Sequence, residues 1–371
     1  MKRIAILIIA LLALGKPLAA ADTLIGDPVV LPTQMCRGYF FVPVTLELRE
    51  GETADERTLW FLYDTGASAS YVDPDSVERV SGQRLDSGVR ARFGVSTIGD
   101  LRLTGLRARV RDLDHLSIAL GREIDGILEY DAFSDVLLTL DYARSEMRVV
   151  SGELPRPDGE TVFSSNGPDS RPWLRVRFPN GHRRLLIDSG AALSPIILRN
   201  IGRYDTVRPP RATGAAVRFS EIERRSSARL SGSLWIGGNE LQQPVIQSTP
   251  ETEILGGQAM RHFSWTFDQR NERVQVRRND PATPITFDPM VTHGMVLVPE
   301  GDGMRVAAVL ANSPAFDAGV ETGDFITHFN GTQMRTRSCE TGGPPPATLQ
   351  LDLVRDGTSL QLMLDLYALV E

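Results

Sequence analysis

Leu59-Trp60-Phe61-Leu62-Tyr63-Asp64-Thr65-Gly66-Ala67 and Arg184-Leu185-Leu186-Ile187-Asp188-Ser189-Gly190-Ala191 are two versions of one sentence. Each is an apolar strand running into Asp, then Thr or Ser, then Gly-Ala. Farther on, Ile127-Leu128, Thr139-Leu140-Asp141 and Met147-Arg148-Val149 find counterparts in Ile254-Leu255, Thr266-Phe267-Asp268 and Val274-Gln275-Val276. The offset is 124 residues at the first motif and 127 at the later ones, and Arg92-Phe93 matches Arg218-Phe219 at 126. Near-constant spacing over several motifs marks an internal duplication.

Each copy reads as strand-rich. Tyr39 to Leu48, Thr58 to Tyr63, Leu101 to Val110 and Val136 to Asp141 carry β-branched, aromatic or alternating patterns between turn residues. The second copy offers Trp173 to Phe178, Arg184 to Ile187, Ser233 to Ile236 and Trp265 to Phe267. Helices are few, the clearest being Asp73 to Val80 with Asp73 and Pro74 at its start. The Pro/Gly/acidic stretch 151–160 reads as a linker, so the units are 22–150 and 161–280, with a further module over 285–371.

The 371 residues are 42% hydrophobic and 23% charged with a net charge of −7, which excludes disordered, collagen-like and coiled-coil chains. The acidic balance argues against nucleic acid as a partner. Five histidines and two cysteines are too few for a rich metal site or a disulfide scaffold. Lys2 and Arg3 precede the apolar run Ile4 to Leu14, and small residues follow up to Ala21. That pattern reads as a secretory signal peptide over 1–21, and the run is too short for a membrane anchor. The expectation is a bacterial secreted or periplasmic protein. In such an oxidising compartment Cys36 and Cys339 either pair, tying the start of the mature chain to its last module, or stay apart; sequence leaves both open.

An aspartate at a strand tip, followed by a hydroxyl residue and glycine, has a chemical use. Glycine lets the backbone approach the carboxylate, and the hydroxyl can bond across to an equivalent loop. Two such loops face to face bring two carboxyls into contact, where like charges prevent both from ionising. One then acts as base and the other as acid towards a water and a carbonyl, which suits amide hydrolysis without metal, serine or cysteine. Asp64-Thr65-Gly66-Ala67 and Asp188-Ser189-Gly190-Ala191, with Asp125-Gly126-Ile127-Leu128 and Ile254-Leu255-Gly256 about 65 residues after each, resemble the two signatures of retropepsin-type aspartic proteases. The resemblance covers about residues 36 to 278, with both lobes in one chain. It implies catalytic Asp64 and Asp188, loops supported by Thr65, Gly66, Ser189 and Gly190, no cofactor or metal, and protein or peptide substrates. It also implies a monomer, because the chain supplies both aspartates.

Departures are visible too. Glu129 stands where the second copy keeps Gly256, and the first-lobe flap, placed within Val89 to Gly99, is short. Its Phe93, and Phe219 in the second copy, are candidates to cover substrate. Asp86-Ser87-Gly88 repeats the tripeptide without an apolar strand before it. No His-Glu-x-x-His, Gly-x-Ser-x-Gly or phosphate-binding loop occurs.

From Ile285 onward, Gly294-Met295-Val296-Leu297, Asn312-Ser313-Pro314-Ala315, Ala318-Gly319-Val320, Gly323-Asp324 and Asn330-Gly331 follow in order. This module resembles a bacterial PDZ domain. The resemblance implies a peptide ligand whose C-terminal carboxylate meets backbone N–H groups at Gly294, Met295 and Val296. Gly342-Gly343-Pro344-Pro345-Pro346 interrupts the stretch where the groove-lining helix would lie. The sequence therefore predicts a mainly β protein with two retropepsin-like β-barrel lobes and a PDZ-like module, acting as an aspartic endopeptidase. The rival is a catalytically weak or inactive peptide-binding scaffold that keeps the protease frame.

Overall fold

A computed structural model describes residues 23–47, 53, 55–218, 221–334 and 347–371. Residues 1–21, Phe219, Cys339 and the run Gly342 to Pro346 lie outside the described residues, so the expectations placed on them stand as sequence readings.

The described chain is mainly β, as the sequence predicts, and strand alternation decides its layers. In Thr58–Tyr63, Leu59, Phe61 and Tyr63 enter the large core, while Leu62 joins a second cluster on the opposite face. Asp64, two residues past Leu62, leaves the strand on that second face. Gly126–Leu128 lies parallel to this strand, Ile127 opposite Leu62, and antiparallel to Ser70–Val72 on its other edge. Gly126 is required there, since a Cβ would sit 2.2 Å from the Phe61 ring. The second half repeats the weave. Ile254–Leu255 lies between Gly181–Ile187, which is parallel, and Ile196–Leu198, which is antiparallel.

Each half builds a nine-stranded sheet, and a six-stranded antiparallel sheet takes strands from both. At its centre Leu137–Asp141 pairs with Phe263–Asp268. Thr139 faces Thr266, their hydroxyls 2.8 Å apart. Equivalent residues that partner each other lie on the approximate two-fold axis relating the halves. The main core is correspondingly shared, joining Phe133 and Leu140 to Phe267 and Val276. The expected linker begins inside a strand, because Glu146–Glu153 continues to residue 153 within this sheet.

Helix α1, Pro74–Ser81, matches the expected helix: Asp73 Oδ1 accepts from Asp75 N–H at 2.9 Å and Gly82 ends it at φ +72°. Helix α2, Asp114–Leu120, has no counterpart in the sequence reading. Leu101 to Val110 is two strands, broken at Gly105, where φ is +70°.

A hairpin occupies the stretch in which the sequence places the first-lobe flap. Arg90–Arg92 pairs with Arg107–Val110, whereas Val95–Ile98 pairs with Leu101–Thr104 and Tyr39–Leu46. The register runs on through Phe93, whose N–H donates to Leu106 O at 2.9 Å, so Arg90 to Ile98 and Leu101 to Val110 form one hairpin turning at Gly99 and Asp100. Phe93 itself is buried in the core with Val77 and Val80. The second half has a hairpin at the corresponding place, Arg211–Arg218 against Glu221–Arg229.

The last module is a sheet in the order Met295–Glu300, Gly303–Val309, Phe325–Phe329, Thr348–Arg355, Thr358–Asp365. The short helix Pro314–Asp317 is capped by Ser313, whose Oγ accepts from Phe316 N–H at 3.2 Å. Buried Asp324 takes Arg355 Nε at 2.7 Å and the Glu321 N–H at 2.9 Å.

Candidate active site

The two Asp-Thr/Ser-Gly loops meet on the approximate two-fold axis. Thr65 Oγ1 donates to Ile187 O at 2.7 Å and accepts from Ser189 N–H at 2.9 Å. Reciprocally, Ser189 Oγ donates to Tyr63 O at 3.0 Å and accepts from Thr65 N–H at 3.0 Å. Both hydroxyl residues are fully buried, so these four bonds have no competition from water.

The glycines act by what they lack. A Cβ on Gly66 would lie 2.5 Å from Asp188 Cγ, and one on Gly190 would lie 2.3 Å from Asp64 Cγ. Each glycine thus presses against the other loop's carboxyl. Gly66 N–H also donates to Asp64 Oδ1 at 2.7 Å. A side-chain hydrogen bond joins Asp64 and Asp188. Both carboxyls stay partly accessible at this junction.

Burial raises the Asp64 pKa above the ordinary carboxylate value. The N–H groups of Gly66, Gly190 and Ala67 and the contact with Asp188 pull the other way without cancelling it. The dyad is therefore poised to keep a proton where a free aspartate would have lost it.

Two neighbours escaped the sequence reading. Phe40 pairs with Tyr63 and Trp173 with Leu186, while Ile187 N–H bonds Pro172 O. Extending those registers by one residue puts Tyr39 beside Asp64 and Arg171 beside Asp188. Each side chain then crosses to the opposite lobe. Arg171 Nη1 donates to Gly66 O at 2.9 Å, its Nη2 held 2.6 Å from Asp169 Oδ2. Tyr39 bonds the Leu193 backbone, and its phenol pKa is pushed up to about 12 by burial, then by the charges of Asp188 and Asp64. The signal that could have found them is their place just before an apolar strand, opposite each aspartate; it needs the pairing register to be visible.

Glu129, the departure from glycine, is bracketed by Ser70: Ser70 Oγ accepts from Glu129 N–H at 3.1 Å and donates to Oε1 at 3.4 Å. Burial and then nearby Asp131 raise its pKa. In the second half Gly256 is obligatory, since a Cβ would meet Pro195 O at 2.3 Å. Asp125, at the head of the first inner strand, is an anchor. It accepts from Trp60 N–H at 2.7 Å and Ser76 Oγ at 2.6 Å, and it pairs with Arg79.

In the last module, Gly294 has φ +93° and would strike Ser313 with any Cβ. Its N–H donates to Thr292 Oγ1 at 3.1 Å, so a ligand carboxylate taking that N–H has to displace the hydroxyl. Met295 is half-buried and Val296 is buried in the edge strand. Cys36 is buried and disulfide-bonded. No group of three or more His, Cys, Asp or Glu side chains among the described residues is placed to hold a metal ion. No described helix is long and apolar enough to cross a membrane.

No family model and no curated protein matches the chain. Among solved structures it is similar to a PDZ domain protein from Parabacteroides distasonis, at 14% identity over 22% of this chain and 20% of that one, with a TM-score of 0.20. The chain thus spans about a fifth of that protein's length. It is also similar to a retropepsin-like aspartic protease from Rickettsia conorii, at 12% identity over 34% of this chain and 90% of that one, with a TM-score of 0.25.

Proposed function

We propose that the protein is an aspartic endopeptidase acting as a monomer outside the cytoplasm, with its PDZ-like module docking substrate or partner peptides. The observation that carries this reading is the hydrogen bond between Asp64 and Asp188, held by reciprocal Thr65 and Ser189 bonds on the axis between the halves. Two carboxyls in contact supply the base and the acid that amide hydrolysis by water uses.

Sharing one proton is the established behaviour of paired aspartic-protease carboxyls. The ionised carboxyl takes a proton from a bound water as the water oxygen bonds to the scissile carbonyl carbon. The protonated partner gives its proton to the carbonyl oxygen, so a neutral tetrahedral diol forms. Its collapse breaks the C–N bond: one hydroxyl gives its proton to the ionised carboxylate, while the leaving nitrogen takes the proton that the other carboxyl drew from water. Gly66 and Gly190 hold the carboxyls in mutual contact, and the Thr65–Ser189 bonds prevent the loops from separating.

The test is digestion of a protein mixture by wild type, Asp64→Asn and Asp188→Asn, with product termini read by mass spectrometry. New termini from wild type alone are expected. Identical digests from all three would leave the peptide-binding scaffold as the better reading.

A further inference from the structure

Helix α2 serves two cores. Its flanking Leu113, with Leu116 and Leu120, packs with Phe41, Leu62 and Ile127 on the face that carries Asp64. Ile118, on the helix's other side, is 2% exposed and clusters with Val306, Ile326, Met334 and Leu351 of the last module. The helix lies against the edge strand Met295–Glu300, as does hairpin strand Arg211–Arg218.

That edge strand stands at the end of its sheet, paired with Gly303–Val309 alone. It is the edge to which a PDZ-type ligand adds as a further strand. Among the described residues, α2 stands against this edge strand. The module is fastened in this pose from behind. Tyr367–Val370 pairs with Met290–Thr292, and Arg208 holds Glu371 at 2.6 Å. Arg229, at the foot of the hairpin, donates to Phe287 O and Asp288 O, both at 3.1 Å.

We propose that α2 is a built-in occupant of this peptide-binding edge, Ile118 taking the place of a ligand's apolar side chain. A peptide with an apolar residue and free carboxylate at its C-terminus displaces it and uncovers the cleft face beside Asp64. A helix cannot satisfy a strand edge, whereas an extended peptide supplies the missing ladder of hydrogen bonds. The helix has the compensating advantage of being tethered, at an effective concentration on the order of millimolar. The contact is also partial: a cleft of about 430 Å³ opens between Asp114, His115 and Ile118 on one side and Pro299 and Glu300 on the other. The gain in cleavage rests on the protease reading above; the displacement does not.

The full chain is titrated into fluorescein-labelled decapeptides with random upstream residues and Val, Ile, Leu or Phe at a free C-terminus. An amidated pool serves as control. Ile118→Asp should bind the free-carboxylate pool at least about tenfold more tightly than wild type, because the fraction of open edge sets apparent affinity. Ile118→Ala, the gentler variant, should fall between. In wild type, adding the pool should speed amide exchange over residues 113–120. It should also raise cleavage of a short quenched peptide that Ile118→Asp already cleaves at the stimulated rate. Equal affinities in all three chains, absence of binding by any, or unchanged exchange at α2 would overturn the proposal. Binding and exchange as expected, with no cleavage beyond that of Asp64→Asn, would remove the protease reading and leave the displacement standing.

Discussion

The Thr65 hydroxyl makes two of the four bonds that cross the axis, and both of its partners are backbone groups of the opposite lobe. Thr65→Val keeps the shape and leaves the buried Ile187 carbonyl and Ser189 N–H without it. A loss of about 2–4 kcal/mol in urea unfolding is expected from two unsatisfied groups. Asp64 makes a second prediction. Burial raises its pKa in the fold, so the stability due to its protonated form is fully present below the unfolded value of about 4 and is lost as pH rises through the folded value. Asp64→Asn should therefore melt above wild type at pH 7, with the gap closing towards pH 4; a gap independent of pH would refute this. Ala67 and Ala191 stand three residues beyond the aspartates and offer no hydroxyl to the outer carboxylate oxygens. The bell-shaped activity profile should peak between weakly acidic and neutral pH. Ala67→Ser, by bonding the charged form, should shift its acidic limb downward; an optimum in strong acid, with no activity at pH 5 to 6, would contradict this.

At the scale of elements, the inner strand Gly126–Leu128 carries no capping turn of its own and depends on Asp125. That carboxylate is 4% exposed and joins the strand before Asp64 to helix α1 through Trp60, Ser76 and Arg79. Asp125→Ala should cost about 2–4 kcal/mol in unfolding free energy, with activity falling as Ile127 loses register against Leu62. Wild-type stability in that variant would show that the pairing of Gly126–Leu128 suffices alone. Each half carries a long hairpin, Arg90 to Val110 in the first and Arg211–Arg218 with Glu221–Arg229 in the second, and the first half adds helix α2. The motif offset near Arg92 and Arg218 marks matching hairpins, Arg92 lying in a strand of the first and Arg218 in a strand of the second.

For the whole molecule, the six-stranded sheet makes the lobes inseparable. Leu137–Asp141 without Phe263–Asp268 would expose a strand edge and half of a shared core. Fragments 23–153 and 154–280 expressed singly should aggregate and should become soluble when coexpressed, judged by size-exclusion chromatography. Because one chain brings both aspartates together, activity per molecule should stay constant on dilution to nanomolar concentration. A fall on dilution would mean that a second chain completes the site.

What the sequence determined by itself was local or repeated. Strand identity came from alternation, as in Thr58 to Tyr63; the helix came from Asp73 and Pro74. The pairing of Asp64 with Asp188 came from duplication, since equivalent loops related by a two-fold axis must meet there. What only the tertiary structure decided was non-local. Phe93 is as apolar in a core as on a flap, and composition cannot tell which face of its hairpin is buried. Tyr39 and Arg171 reach the dyad through register, which depends on partners more than 15 residues away in the chain. Helix α2 was illegible because its apolar residues divide between two cores: Leu113, Leu116 and Leu120 on one side and Ile118 on the other break the single-face periodicity by which a helix is read from sequence.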